Sequence, residues 1–442
     1  MNVLVVGSGA REHALAWALR RSPSVRTLLA APGNPGMASL AECVPVKAGD
    51  LEGLLALARE RKVDLTVVGP EQPLAAGIAD RCAEAGLAVF GPTRAAAELE
   101  WSKAFAKEFM LRHGIPTAGS RTFRSAERNA AEAHLAACPL PVVLKADGLA
   151  AGKGVLICQT RADAAAALGA LMDRREFGGA GECVVVEEYM EGEEASLFAI
   201  TDGERYVCLA GAQDHKRVSD GDRGKNTGGM GAYAPAPVLT PAILAEVRTR
   251  IVEPTIRGMA AEGRPYRGCL YVGLMMTASG PNVVEYNCRF GDPETQVVVP
   301  LYTGDFFDLL WNAARGSLDP SSVPPPGRGT AVCVVLASGG YPDTYRTGFP
   351  IEGLEVLEGM PGVAAFHAGT ADDGGRVVTA GGRVLGITAV DDGGDLAEAI
   401  ARAYGAVQMV GFEGMHFRTD IGRKGMAWLA RQSTHRRGEG QS

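Results

Sequence analysis

Three short apolar runs near the start of the chain each stop at a glycine turn, and this pattern constrains the fold more than any other feature. Asn2 to Val6 meets Gly7-Ser8-Gly9, Leu65 to Val68 meets Gly69-Pro70-Glu71, and Ala88 to Phe90 meets Gly91-Pro92-Thr93. Together with Thr27 to Ala30 they read as strands, with Ala/Leu-rich helical stretches between some of them. Strands alternating with helices imply an open α/β sheet of parallel strands. The C-terminal ends of such strands lie on one edge, where ligands of open α/β folds bind. A helix N-terminus after Gly9 also suits an anion.

The first turn is one glycine short of a dinucleotide fingerprint, because Glu12 stands where the third glycine of G-x-G-x-x-G belongs. The acidic residue expected about 20 positions later is missing too, since Ala31-Pro32-Gly33-Asn34-Pro35-Gly36 follows the second run. A nicotinamide or flavin enzyme is thereby disfavoured, while an ordinary tight turn stays open at this point.

At 442 residues the chain calls for two to four domains. Its net charge of −7 argues against non-specific nucleic-acid binding. No run approaches the ~18 apolar residues of a membrane span, and no secretory signal is evident. Nine scattered cysteines without a C-x-x-C pair fit buried thiols in a reducing cytoplasm.

Beyond a helix-rich stretch from Ala95 to Gly114, Val142 to Lys145 and Val155 to Cys158 read as strands flanking Ala146-Asp147-Gly148-Leu149-Ala150-Ala151-Gly152-Lys153-Gly154. A strand-to-strand loop is not a Walker loop, which runs into a helix. The strand Cys183 to Glu188, a glycine-dense loop from Asp214 to Tyr233 and a hairpin from Cys269 to Cys288 follow. Leu318 to Gly327 is proline-rich and reads as a linker. Ala331 to Ala337 opens a smaller α/β segment, and residues 433–442 read as a disordered tail.

The segment most suggestive of chemistry is Val283-Val284-Glu285-Tyr286-Asn287-Cys288-Arg289-Phe290-Gly291-Asp292-Pro293-Glu294-Thr295. Residues two apart in a strand share a face, so Glu285, Asn287 and Arg289 are expected on one side and Val284, Tyr286 and Cys288 on the other. Polar groups on one face of an otherwise apolar strand need partners. Mg²⁺ takes oxygen ligands and keeps waters and phosphates in its shell, so Glu285 and Asn287 are metal-ligand candidates with Arg289 on an adjacent anion. The plainer reading is an edge strand with its polar face in water. Asn226-Thr227-Gly228-Gly229-Met230-Gly231 offers backbone N–H groups to a ligand, with a surface loop as the alternative. Glu187, Glu188, Glu193 and Glu194 can accept from an adenine amine or ribose hydroxyls, or form a solvated turn. Lys103 and Lys145 suit phosphate.

In order along the chain, these stretches resemble the ATP-grasp superfamily, and within it the phosphoribosylamine–glycine ligases. The resemblance rests on Gly7 to Leu15, Ala31 to Asn34, Val68 to Glu71, Lys145 to Gly154, Gln213 to Arg217, Asn226 to Tyr233, Glu285 to Thr295, Gly339 to Pro342 and Phe366 to Thr370. It implies an ATP-grasp fold with an N-terminal open parallel-sheet (Rossmann-like) domain at 1–102, an ATP-grasp domain at 103–325 with a mobile lid about 123–195, and a small C-terminal α/β domain at 326–432. It also implies ATP-dependent joining of glycine to 5-phosphoribosylamine through glycyl phosphate, with Mg²⁺ (or Mn²⁺) on Glu285 and Asn287. Lys103 and Lys145 are implied on the phosphates, Gly152 at ATP, Glu187 on the adenine amine, backbone near Met190 at the adenine edge and Glu194 on the ribose. Asp214 and Arg289 are implied on glycine and the ribosylamine, with Lys145 beside them in catalysis. Gly9, Gly69 and Glu71 are implied at the phosphoribosyl group. A cytoplasmic monomer acting on small molecules, with neither nucleic acid nor membrane as partner, is expected. Ala10 and Trp101 depart from the family pattern, and Cys269 to Met276 lacks the further metal carboxylate of many relatives. A ligase for another amino acid, a dinucleotide-dependent oxidoreductase and a non-catalytic nucleotide-binding module are the competing readings.

Overall fold

A computed structural model of the chain describes residues 1–149, 154–173 and 182–439, with the side chains of 435–439 excepted. Gly152 lies outside the described residues.

The expected parallel sheet is present, and its strand order places the glycine turns side by side. Glu42–Cys43, Thr27–Pro32, Asn2–Gly7, Leu65–Val68 and Ala88–Phe90 pair in that order, every pair parallel. Past their first residues the middle strands are apolar but for the buried Thr66, because both faces are covered. Leu4 and Val6 pack into one core with Leu197, Val272 and Tyr286, whereas Val3 and Val5 join another with Phe198, Phe290 and Phe307.

Two four-stranded antiparallel sheets follow. One is ordered Ser120–Arg124, Cys183–Glu188, Val142–Ala146, Val155–Cys158, and the other Tyr206–Cys208, Glu193–Asp202, Arg267–Thr277, Gly280–Asn287. The first of these has its own small core, built from Phe123, Leu135, Leu144, Leu168 and Val184.

The stretch read as a glycine-dense loop from Asp214 to Tyr233 holds four short strands instead. Gln213–Asp214 and Gly231–Ala234 join the sheet of Thr330–Ala337, Arg383–Asp391 and Val363–His367, and Arg217–Ser219 pairs with Arg223–Asn226. The glycines misled because they serve close packing as well as turning: a Cβ on Gly231 would lie 2.6 Å from Cys333 O. Of the expected tail at 433–442, residues 433–439 instead continue a helix that runs Arg423–Glu439, and 440–442 lie outside the described residues. Between Gly425 and Gly438 no glycine or proline interrupts it, and straight-chain Arg and Gln residues propagate a helix once its start is anchored.

The C-terminal sheet closes on the N-terminal one through a buried histidine seam. His13 Nδ1 accepts from the His367 backbone N–H at 2.9 Å, and Asn34 Nδ2 donates to Ser8 O at 2.9 Å and His367 O at 2.8 Å. Burial, reinforced by His367, pushes His13 down to about 3, and burial pushes His367 down to about 4. Both imidazoles are therefore neutral in the fold and would titrate near 6.5 once released. The unfolded chain binds more protons across that interval, so the seam stabilises above pH 6.5 and loses strength as pH falls towards 4 and below. The thermal unfolding midpoint should fall steeply over this range, and His13→Gln should flatten the slope while lowering the midpoint at neutral pH. Equal slopes in the two proteins would remove the seam as the cause.

Candidate functional site

A helix cap brings Lys103 to the loop after Ala146. Ser102 Oγ accepts from Phe105 N–H at 3.1 Å and starts the helix Lys103–Arg112. Asp147, just past the strand Val142–Ala146, accepts from Ala104 N–H at 3.1 Å and Ser102 Oγ at 3.3 Å. This staple brings Lys103 to the loop, where its Nζ donates to Gly148 O at 3.2 Å. Lys145 Nζ lies 2.9 Å from Glu187 Oε2 and 3.1 Å from Val284 O. Trp101 turns away, donating to Arg94 O and packing on the core.

Glu194 pairs with Lys216, whose Nζ also lies 3.2 Å from Asp214. Burial, with Glu194 adding to it, raises the Asp214 carboxyl against the pull of Lys216. Lys216 in turn holds Glu194 below the usual carboxylate range. Beyond Asp214 lies Glu294, which accepts from Tyr271 OH at 2.8 Å. Burial, then Asp214, pushes Glu294 up to about 7. Met190 sits half-buried at the turn that separates Glu187 from Glu194.

The strand Gly280–Asn287 breaks the simple alternation. Leu274 pairs with Val283 and Gly273 with Glu285, so Val284 is the extra residue of a bulge. The expected apolar face of Val284, Tyr286 and Cys288 is thus corrected: Val283, Tyr286 and Cys288 are buried, and Val284 is half-exposed. Its carbonyl instead accepts from Lys145. Past the bulge, Glu285 and Asn287 share the opposite side, and neither side chain has a hydrogen-bond partner among the described residues. Among those residues no group of three or more His, Cys, Asp or Glu side chains could hold a metal ion. A cation at Glu285 and Asn287 would draw most of its shell from phosphates and water, which suits Mg²⁺.

Arg289 joins this strand to the parallel-sheet edge. Its guanidinium meets Glu71 at 3.2 Å and the buried Glu100 at 2.9 Å. Burial opposes its charge, but Glu100 and Glu71 outweigh burial and raise its pKa. Glu12 fills the place of the absent third glycine: it accepts from Gly9 N–H at 2.6 Å. A Cβ on Gly69 would run into the Glu12 side chain, so a larger residue there would displace it from Gly9. The Gly9 N–H offered to a phosphate by the sequence reading is therefore taken by Glu12 in this conformation. Arg383 donates to Asp292 O at 2.8 Å and meets its carboxylate at 3.2 Å, tying the Gly228-Gly229 turn to the same edge.

Glu71 with Arg289, Lys145 with Glu187, and Asp214 with Glu194 through Lys216 are thus brought together. Among the described residues Lys103 meets only Gly148 O, in the loop that follows the strand of Lys145. Sequence reasoning missed Lys107, Lys216, Glu100, Arg383 and Glu294. Lys216 follows Asp214 by two residues and Lys107 follows Lys103 by one helical turn, spacings that place them near residues already singled out.

Residues 1–100, 101–295 and 331–424 match the N, ATP-grasp (A) and C domains of phosphoribosylglycinamide synthetase. A phosphoribosylamine–glycine ligase of Chlorobaculum tepidum is 52% identical over 432 residues, covering 96% of this chain and 100% of that one. One from Caulobacter vibrioides is 51% identical over 96% of this chain and 98% of its own. The crystal structure of a Thermotoga maritima phosphoribosylamine–glycine ligase superposes with a TM-score of 0.82 at 35% identity, covering 95% of this chain and 100% of that one. A biotin carboxylase domain from Hydrogenobacter thermophilus shares the fold at 18% identity, with a TM-score of 0.72 over 94% of this chain and 91% of its own. The chain belongs to the phosphoribosylglycinamide synthetase family, ATP-grasp ligases that join glycine to phosphoribosylamine in purine biosynthesis.

Proposed function

We propose that the site described above carries out ATP + glycine + 5-phosphoribosylamine → glycinamide ribonucleotide + ADP + phosphate through glycyl phosphate. A glycine carboxylate oxygen attacks the γ-phosphorus, and ADP leaves. The amine nitrogen of the ribosylamine then attacks the acyl carbon, loses a proton, and inorganic phosphate departs. Phosphorylation is needed because a carboxylate would otherwise have to expel oxide. The work left to the protein is alignment and charge neutralisation.

Lys103 and Lys145 bind the phosphates, Glu187 takes the adenine amine and Glu194 the ribose hydroxyls, with backbone near Met190 along the adenine edge. Asp214 faces the glycine ammonium; Arg289, with Glu71 and the glycine turns at Gly9 and Gly69, receives the phosphoribosyl group. Mg²⁺ or Mn²⁺ held by Glu285 and Asn287 would neutralise phosphate charge. The observation that carries this reading is the bulge: it ties Lys145 to Val284 O at 3.1 Å, one residue before an unpartnered Glu285. The first antiparallel sheet, with its separate core, acts as the lid about 123–195. Division into domains at 1–102, 103–325 and 326–432 is supported by the separate N-terminal and antiparallel sheets, while Gln213–Asp214 and Gly231–Ala234 cross that division to pair with the C-terminal sheet. A cytoplasmic monomer belongs to the same reading, and the nine free cysteines suit the reducing cytoplasm it implies. No described helix is long and apolar enough to cross a membrane.

ADP release measured with each substrate omitted tests the reaction, and it should vanish without glycine. Glu285→Ala should lower kcat by roughly 10²-fold or more with Mg²⁺ present. Full activity in that variant would remove the metal assignment. Arg289→Lys keeps the charge but loses the fork that meets Glu71 and Glu100. KM for the ribosylamine should rise about tenfold or more while KM for ATP changes little; a rise confined to ATP would place Arg289 elsewhere.

A further inference from the structure

Lys107 is a buried lysine outside the roles assigned above. Its side chain is 5% exposed, and it sits one helical turn after Lys103. All three ammonium hydrogens have protein acceptors: Thr117 Oγ1 at 2.7 Å, Glu187 Oε2 at 3.2 Å and Ala118 O at 3.5 Å. Lys145 differs, because it meets Glu187 Oε2 and Val284 O and keeps one N–H without a partner among the described residues. Lys145 can therefore reach a ligand while Lys107 cannot. Burial lowers Lys107 to about 8 despite the pull of Glu187, a further sign that it is sealed from solvent.

The two lysines converge on the same oxygen of Glu187. The other, Oε1, is buried and has no hydrogen-bond partner. A buried acceptor left open is costly unless a ligand donor fills it. An exocyclic amine supplies that donor, whereas a 6-oxo group would set oxygen against oxygen. Thr117 Oγ1, which accepts from Lys107, donates to Val283 O at 2.7 Å, so the clamp is braced against the bulged strand.

We propose that Lys107 is a positioning residue that fixes the Glu187 carboxylate as an acceptor for an exocyclic purine amine, and so sets the preference for ATP over a 6-oxopurine triphosphate. The proposal rests on the reading that Glu187 faces the adenine amine. When Lys145 turns to the phosphates, Lys107 is the cation that stays on Glu187. Without it the carboxylate is free to turn, Oε1 is no longer held as an acceptor for the amine, and discrimination falls.

The test compares kcat/KM for ATP and ITP in the wild type, Lys107→Met, Lys107→Arg and Glu187→Gln, with thermal unfolding of each. In Lys107→Met the ATP:ITP ratio should fall about tenfold or more, mainly through KM for ATP, and Lys107→Arg should recover part of it. A general loss of packing would lower both activities and leave the ratio alone. Where Lys107→Met does not fold, Thr117→Val removes the shortest contact of Lys107 and should lower the ratio by roughly threefold. An unchanged ratio in the folded variant overturns the role of Lys107. If Glu187→Gln also keeps the wild-type ratio, the adenine assignment itself falls; if only Glu187→Gln lowers it, that assignment stands and Lys107 alone is removed.

Discussion

The backbone from Val283 to Asp292 is the line on which the rest of the site hangs. Thr117 donates to Val283 O, Lys145 to Val284 O, Arg11 to Phe290 O and Arg383 to Asp292 O, while Glu100 accepts from Cys288 N–H. Side chains from the helices Ala10–Arg20 and Glu98–Trp101, the first antiparallel sheet and the C-terminal sheet thus meet one stretch of chain. The bulge at Val284 makes this possible. It frees a carbonyl to face Lys145 and shifts the pleat, so that Glu285 and Asn287 lie open while Val283, Tyr286 and Cys288 stay in the core.

Charge is matched here in groups of three, the Glu187 group buried and Lys216, Glu194 and Glu71 partly exposed. Glu187 lies between Lys107 and Lys145, Lys216 between Glu194 and Asp214, and Arg289 between Glu71 and Glu100. An isolated buried charge is costly, and pairing in a dry site recovers part of that cost while holding the geometry. Such groups are preorganised for a reaction in which negative charge moves from one oxygen to another. Glu294 and Asp214, with carboxyl pKa values pushed upwards, lie at the far end of this arrangement.

Much of this was legible in the residues. The apolar runs ending in glycine located the parallel sheet, and Leu65–Val68, Ala88–Phe90, Val155–Cys158 and Cys183–Glu188 form strands over the bounds read from sequence. Glu12 in the place of a glycine marked the first turn as something other than a dinucleotide site, and its carboxylate does occupy that turn. What misled was glycine density between Asp214 and Tyr233, because glycine permits both a turn and a close strand crossing.

The sequence by itself determined the order of the modules, because strand length, glycine placement and residue type are local properties read along one chain. It also marked Glu285, Asn287 and Arg289 as polar groups on an apolar strand. Only the tertiary structure decided who neutralises whom. Lys107 meets Glu187 across 80 positions, Arg289 meets Glu71 across 218, and His13 meets His367 across 354. Such pairings depend on how separate sheets pack, and a bulge of a single residue decides which carbonyl faces which lysine.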